Sequence, residues 1–153
     1  MKKFVFLLVI ALTIVASKVE AQKREIVRFP MDSIVTKKAN VANTKFGSGY
    51  KCKNHYEDKH CGTKESLKLS DGTILSLQII TYQGGYDGKS DGSGKVITIY
   101  LGSRDMNKPT PDAIMFFLND NIVEYISDNK ISLDAKELNA LALEKLNKFL
   151  KIK

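Results

Sequence analysis

The stretch ESLKLSDGTILSLQIITY, residues 65–82, decides the fold class. Leu67 and Leu69, then Leu75, Leu77 and Ile79, alternate with mostly polar residues at the two-residue period of a half-buried strand. Between the two runs sits Asp71-Gly72, a dipeptide that accepts the positive φ angles of a two-residue type I′ turn. A β-hairpin is therefore expected.

Working outward, a third strand is predicted over Lys95 to Leu101. Ile97, Ile99 and Leu101 share one side, and Val96, Thr98 and Tyr100 the other. Both sides are apolar or β-prone, so this strand belongs in the sheet interior. The connection from 84 to 94 holds five of the ten glycines with Asp87 and Asp91, which predicts a mobile hairpin tip with little to bury. Beyond Pro109 and Pro111, Ala113 to Leu118 and Ile122 to Ile126 flank Asn119-Asp120-Asn121. Asparagine and aspartate tolerate left-handed backbone, so this reads as another hairpin. Upstream the pattern is weaker. Ile26 to Phe29 and Ser33 to Thr36 each read as a short strand, separated by Pro30.

Near the C-terminus the period changes. Leu138, Leu141, Ala142, Leu146, Phe149 and Leu150 recur at three- and four-residue steps, opposite an arc of charged residues. Asp134 with Glu137 makes a capping box, Leu133 with Leu138 a hydrophobic staple, and Lys145, Lys148, Lys151 and Lys153 complement the helix dipole. The expectation is an α+β domain over 22–153. It is an antiparallel β-meander of about five to seven strands with a C-terminal amphipathic helix, residues 135–151, packed on one face.

Residues 1–21 read as a cleavable signal peptide. Lys2 and Lys3 precede a 13-residue apolar-plus-threonine run from Phe4 to Ala16, and Val19 and Ala21 stand at the minus-three and minus-one positions of a cleavage site. As a helix that run reaches only about 20 Å, short of the roughly 30 Å of a bilayer core. Cleavage would leave Gln22 first. Loss of Lys2, Lys3, Lys18 and Glu20 lowers the net charge from +7 to +5. A basic chain in the periplasm or medium drifts toward anionic surfaces, so a protein, an anionic glycan or another cell-surface partner is expected. The scattered lysines, without interleaved aromatics, exclude a nucleic-acid stripe.

With 43% apolar and 27% charged residues, two cysteines and no 18-residue apolar run, the 153-residue composition excludes collagen-like, multi-span membrane and dense disulfide classes. Both cysteines and both histidines fall in one segment, CKNHYEDKHC, residues 52–61. In an oxidising compartment Cys52 and Cys61 form a disulfide, whose ten-residue loop is worth about 2.7 kcal/mol in the chain-entropy account. The alternative is a small metal-binding protein or metal-dependent hydrolase, with His55 and His60 as ligands beside the thiolates and Glu57 or Asp58 nearby. Adjacency of His60 and Cys61 counts against it, because extended backbone sends consecutive side chains to opposite sides.

Other apparent active sites fail on context. Gly88-Lys89-Ser90-Asp91-Gly92 matches the nucleophile-elbow string but precedes a strand, where a helix is required. Ser48-Gly49-Tyr50-Lys51 with Ser127-Asp128-Asn129 mimics two motifs of a serine acyl-enzyme, yet no Lys-Thr-Gly completes them. No catalytic residues and no cofactor are assigned. The expected function is that of a non-enzymatic exported binding domain, touching its partner through exposed loops that carry Tyr50, Tyr56, Tyr86, Asp87 and Asp91.

Overall fold

The computed structural model describes residues 23–47, 60–82, 94–104 and 107–151. The elements run β1 (Glu25–Pro30), α1 (Ser33–Gly47), β2 (His60–Lys68), β3 (Ile74–Tyr82), β4 (Gly94–Tyr100), β5 (Ala113–Phe117), β6 (Ile122–Ser127) and α2 (Ala135–Leu150). The strands form one antiparallel six-stranded sheet in the order β1-β6-β5-β4-β3-β2. From β2 to β6 it is the meander that the alternation predicts. β1 departs from sequence order and pairs with β6 at the far edge, so the segment that includes α1 takes the chain from one edge of the sheet to the other.

The β2–β3 hairpin corrects the expected turn. Gly72 N–H donates to the Leu69 carbonyl at 3.0 Å and Leu69 N–H to the Thr73 carbonyl at 2.8 Å, enclosing a three-residue loop. Within this loop only Gly72 takes a positive φ, of 87°. This is the three-residue hairpin with a left-handed glycine bulge rather than a type I′ pair. Asp71 decides it: its Oδ1 accepts the Thr73 N–H at 2.9 Å, which holds the Asp71 carboxyl below the usual carboxylate pKa. The β5–β6 turn follows expectation, with Asn121 at φ 56°.

Residues 33–36, read above as a strand, open α1 instead. Asp32 caps the helix, its Oδ1 accepting the Val35 N–H at 2.7 Å. Val35, Ala39 and Ala42 are buried and Phe46 partly so, at steps of four, three and four. That period of burial outweighs the β-propensity of Ile34-Val35-Thr36. A two-residue period would have given Ile34 and Val35 to opposite sides of a sheet; in the helix Ile34 is exposed and Val35 is sealed.

At α2 the predicted capping box is present. Glu137 N–H donates to Asp134 Oδ1 at 2.8 Å, and Asp134 N–H to Glu137 Oε2 at 2.9 Å. The two helices pack on each other and on the same side of the sheet. Between the layers lie Leu75, Leu77, Ile79, Ile97, Ile99, Ile114, Phe116 and Val123, met from above by Val35, Ala39, Leu138, Ala142, Leu146 and Phe149. Sealing each large side chain here is worth about 1.5–3 kcal/mol. Among the described residues, Asn139 brings a polar group into the middle of this layer. Asn139, 6% exposed, accepts the Asp32 N–H on Oδ1 at 2.8 Å and donates from Nδ2 to the carbonyls of Pro30 and Ala135. It ties α2 to the corner between β1 and α1. No helix of the described residues is long and apolar enough to cross a membrane.

Candidate binding surface

Strand alternation that sends Ile97, Ile99, Ile114 and Phe116 toward the helices sends Val96, Thr98, Tyr100, Met115 and Phe117 the other way. Registration extends this second face across the sheet: Ile26 and Arg28 on β1, Ile122, Glu124 and Ile126 on β6, Ser76 and Gln78 on β3. Neither α1 nor α2 covers it. Antiparallel sheets commonly leave one face to solvent, and here that face divides into two regions of different chemistry.

The first region is apolar around one ion pair. Ile26 is 57% exposed, while Met115, Phe117, Ile122 and Ile126 are partly exposed. Glu124 is only 5% exposed; its Oε2 accepts Arg28 Nε–H at 2.7 Å. The Arg28 guanidinium lies 5.9 Å from the centroid of the Phe117 ring. A carboxylate withdrawn from water needs such a partner.

The second region is a hollow of about 270 Å³ lined by Glu65, Ser66, Ser76, Leu77, Gln78, Tyr100 and Arg104. Arg104 stacks on Tyr100, 4.9 Å from the ring centroid. From Nη1 it donates to the Tyr100 hydroxyl at 2.6 Å and to Gln78 Oε1 at 3.0 Å. Ser76 Oγ donates to the Gly102 carbonyl at 3.4 Å, fixing the turn that delivers Arg104. Gln78 and Tyr100 reach each other because Gln78 pairs with Thr98 and Ser76 with Tyr100, placing them diagonally on neighbouring strands.

A third cluster lies where β5 and β6 meet the helix layer. Tyr125 Oη and Ser127 Oγ both donate to Asp112 Oδ2, at 3.1 and 2.9 Å, and Asn129 N–H donates to Ser127 Oγ at 3.0 Å. Arg24 donates to the Pro111 carbonyl and lies 2.9 Å from Asp128 Oδ1, a charge contact rather than an aligned hydrogen bond. Burial, then the Asp112 charge and its hydrogen bond, push the Tyr125 hydroxyl pKa above its ordinary value. Ser127, first residue of the Ser-Asp-Asn string, thus spends its proton on a carboxylate and accepts a backbone amide. It closes a strand end and is not poised as a nucleophile.

Most residues singled out in the sequence fall elsewhere. The leader 1–21, the loop residues Tyr50, Cys52, His55 and Tyr56, and Tyr86, Asp87 and Asp91 lie outside the described residues. His60 and Cys61 begin β2, their backbones opposite Tyr82 and Thr81. Pairing of Cys52 with Cys61 and ligation by His55 and His60 therefore fall outside the described residues. Among those residues no three His, Cys, Asp or Glu side chains gather as a metal site. The Arg104 hollow was missed from sequence. Its partners come from three separate segments, and only the β-prone outer side of residues 96–100 hinted at it. No family model, curated protein or solved structure matches the chain, so the chemistry of this surface rests on its geometry.

Proposed function

We propose that the chain is a small exported binding domain, without catalytic chemistry of its own, and that it takes a protein partner on the open face of the sheet. The observation that carries this reading is the second face itself. Both helices lie on one side, yet the other side keeps a run of large apolar groups from Ile26 to Met115 next to an arginine-tyrosine cluster. Apolar groups with Arg and Tyr beside them are what protein interfaces enrich. Export is read from the leader layout of residues 1–21, which places the partner in the periplasm, in the medium or at a cell surface.

Photo-crosslinking tests the binding surface. A crosslinking side chain at Ile26 or Phe117 is expected to give one discrete adduct with cell-envelope material, competed by excess unlabelled protein. The same side chain at Val41, on the outer side of α1 and 47% exposed, is expected to give none. Equal adduct patterns at all three positions would remove the open face as the docking surface. Mass spectrometry of the exported protein is expected to find Gln22 as the first residue.

A further inference from the structure

The chain has three arginines, Arg24, Arg28 and Arg104. Two are matched by carboxylates: Arg24 by Asp112 and Asp128, and Arg28 by Glu124. Arg104 forms no ion pair among the described residues. It is nonetheless held, by the stack on Tyr100 and by two hydrogen bonds from one nitrogen, Nη1. A guanidinium carries five N–H groups, two of them on Nη1. With Nη1 turned to Tyr100 and Gln78, Nε and Nη2 keep three donors, of which Nε–H and one Nη2 N–H form the planar fork that matches the two oxygens of a carboxylate.

From this we infer that the Arg104 hollow is a carboxylate anchor, receiving an acidic side chain or a chain-terminal carboxylate of the partner protein. The inference rests on the binding-domain reading above and names the chemistry its partner must present. The ordering cost of a long arginine is already met by Tyr100 and Gln78, so less of the binding energy is lost in fixing it. Glu65 also lines the hollow, and no ion pair joins it to Arg104. Its charge opposes a phosphate dianion more than a single carboxylate. Met115, two residues along β5 from the partner of Tyr100, leads from the hollow into the apolar region, which suits peptide side chains better than sugar hydroxyls.

Arginine Nε–H resonances provide the test, since three arginines give three signals, each assigned by its Arg→Lys variant. In the chain beginning at Gln22, sodium acetate is expected to move the Arg104 signal saturably, with acetamide leaving it in place. N-acetyl-alanyl-alanine with a free C-terminus is expected to bind more tightly than acetate and than its C-terminal amide. Arg104→Lys keeps the charge but loses the fork, and is expected to weaken the peptide at least about tenfold. Tyr100→Phe, which keeps the stack and loses the hydroxyl, is expected to weaken it less. Equal responses to acetate and acetamide, or equal responses of Arg104 and Arg28, would overturn the anchor. Galacturonate that binds where the peptide does not would overturn the protein source of the carboxylate. Crosslinking at Phe117 does not depend on Arg104, so loss of the anchor and loss of the docking face are separately visible.

Discussion

The two faces of one sheet obey the same alternation and end in opposite chemistry. Toward the helices every central strand position is aliphatic or aromatic, as with Ile97, Ile99, Ile114 and Phe116. Away from them the same strands carry Thr98, Glu124, Gln78 and Tyr100 among apolar residues. The covered face meets side chains from α1 and α2 and is closed to solvent, so a hydrogen-bonding atom there needs partners within the protein. On the other face neither α1 nor α2 is met; Val96, Thr98 and Glu124 are nonetheless buried there, while Arg28 and Arg104 are exposed.

The sharpest way to break this contrast uses two adjacent phenylalanines of β5. Phe116→Ala removes a fully buried ring from between the layers and is expected to cost about 3–5 kcal/mol in urea unfolding. Phe117→Ala, one residue on but facing away, is expected to cost less than about 1.5 kcal/mol. Comparable losses would mean that the outer face is sealed as tightly as the inner.

A smaller effect is expected where the covered layer admits a polar group. Asn139→Ala strips partners from the Asp32 N–H and the Pro30 carbonyl and is expected to cost about 2 kcal/mol. A neutral result would mean that water replaces the amide there and that the layer is less dry than its apolar lining.

Tyr125 marks the rim of that layer and gives the smallest effect, about 1 kcal/mol for Tyr125→Phe at neutral pH. Its pKa is raised above the ordinary 10.0, so the folded state holds the proton more tightly than the unfolded one. That contribution is complete below pH 10.0 and is lost as pH climbs through the raised value. Alkaline unfolding curves are thus expected to fall less steeply above that point in Tyr125→Phe than in the parent.

Local signals carried much of the architecture. The alternation in 65–82 and 95–101, the left-handed asparagine before Ile122, and the Asp134-Glu137 box each describe contacts within a few residues, and each reappears in the structure. The first helix is hidden in the sequence because Ile34-Val35-Thr36 is a run of three β-branched residues, whereas its own signals, the Asp32 cap and the 35-39-42-46 spacing, emerge from burial against the sheet. Three-residue closure at Asp71 was hidden for a related reason. Asp-Gly suits either hairpin loop, and the side-chain bond to the Thr73 amide chooses between them.

Composition and periodicity alone determined that this chain makes an antiparallel sheet backed by an amphipathic C-terminal helix, because strand and helix periods are written in neighbouring residues. Only the tertiary structure decided that β1 closes on β6, that Asn139 pins a corner more than a hundred residues away, and that Gln78, Tyr100 and Arg104 share one hollow. Those outcomes turn on which segments meet across the sheet, and pairing between distant strands is set by how the whole apolar surface is best buried, not by any local pattern.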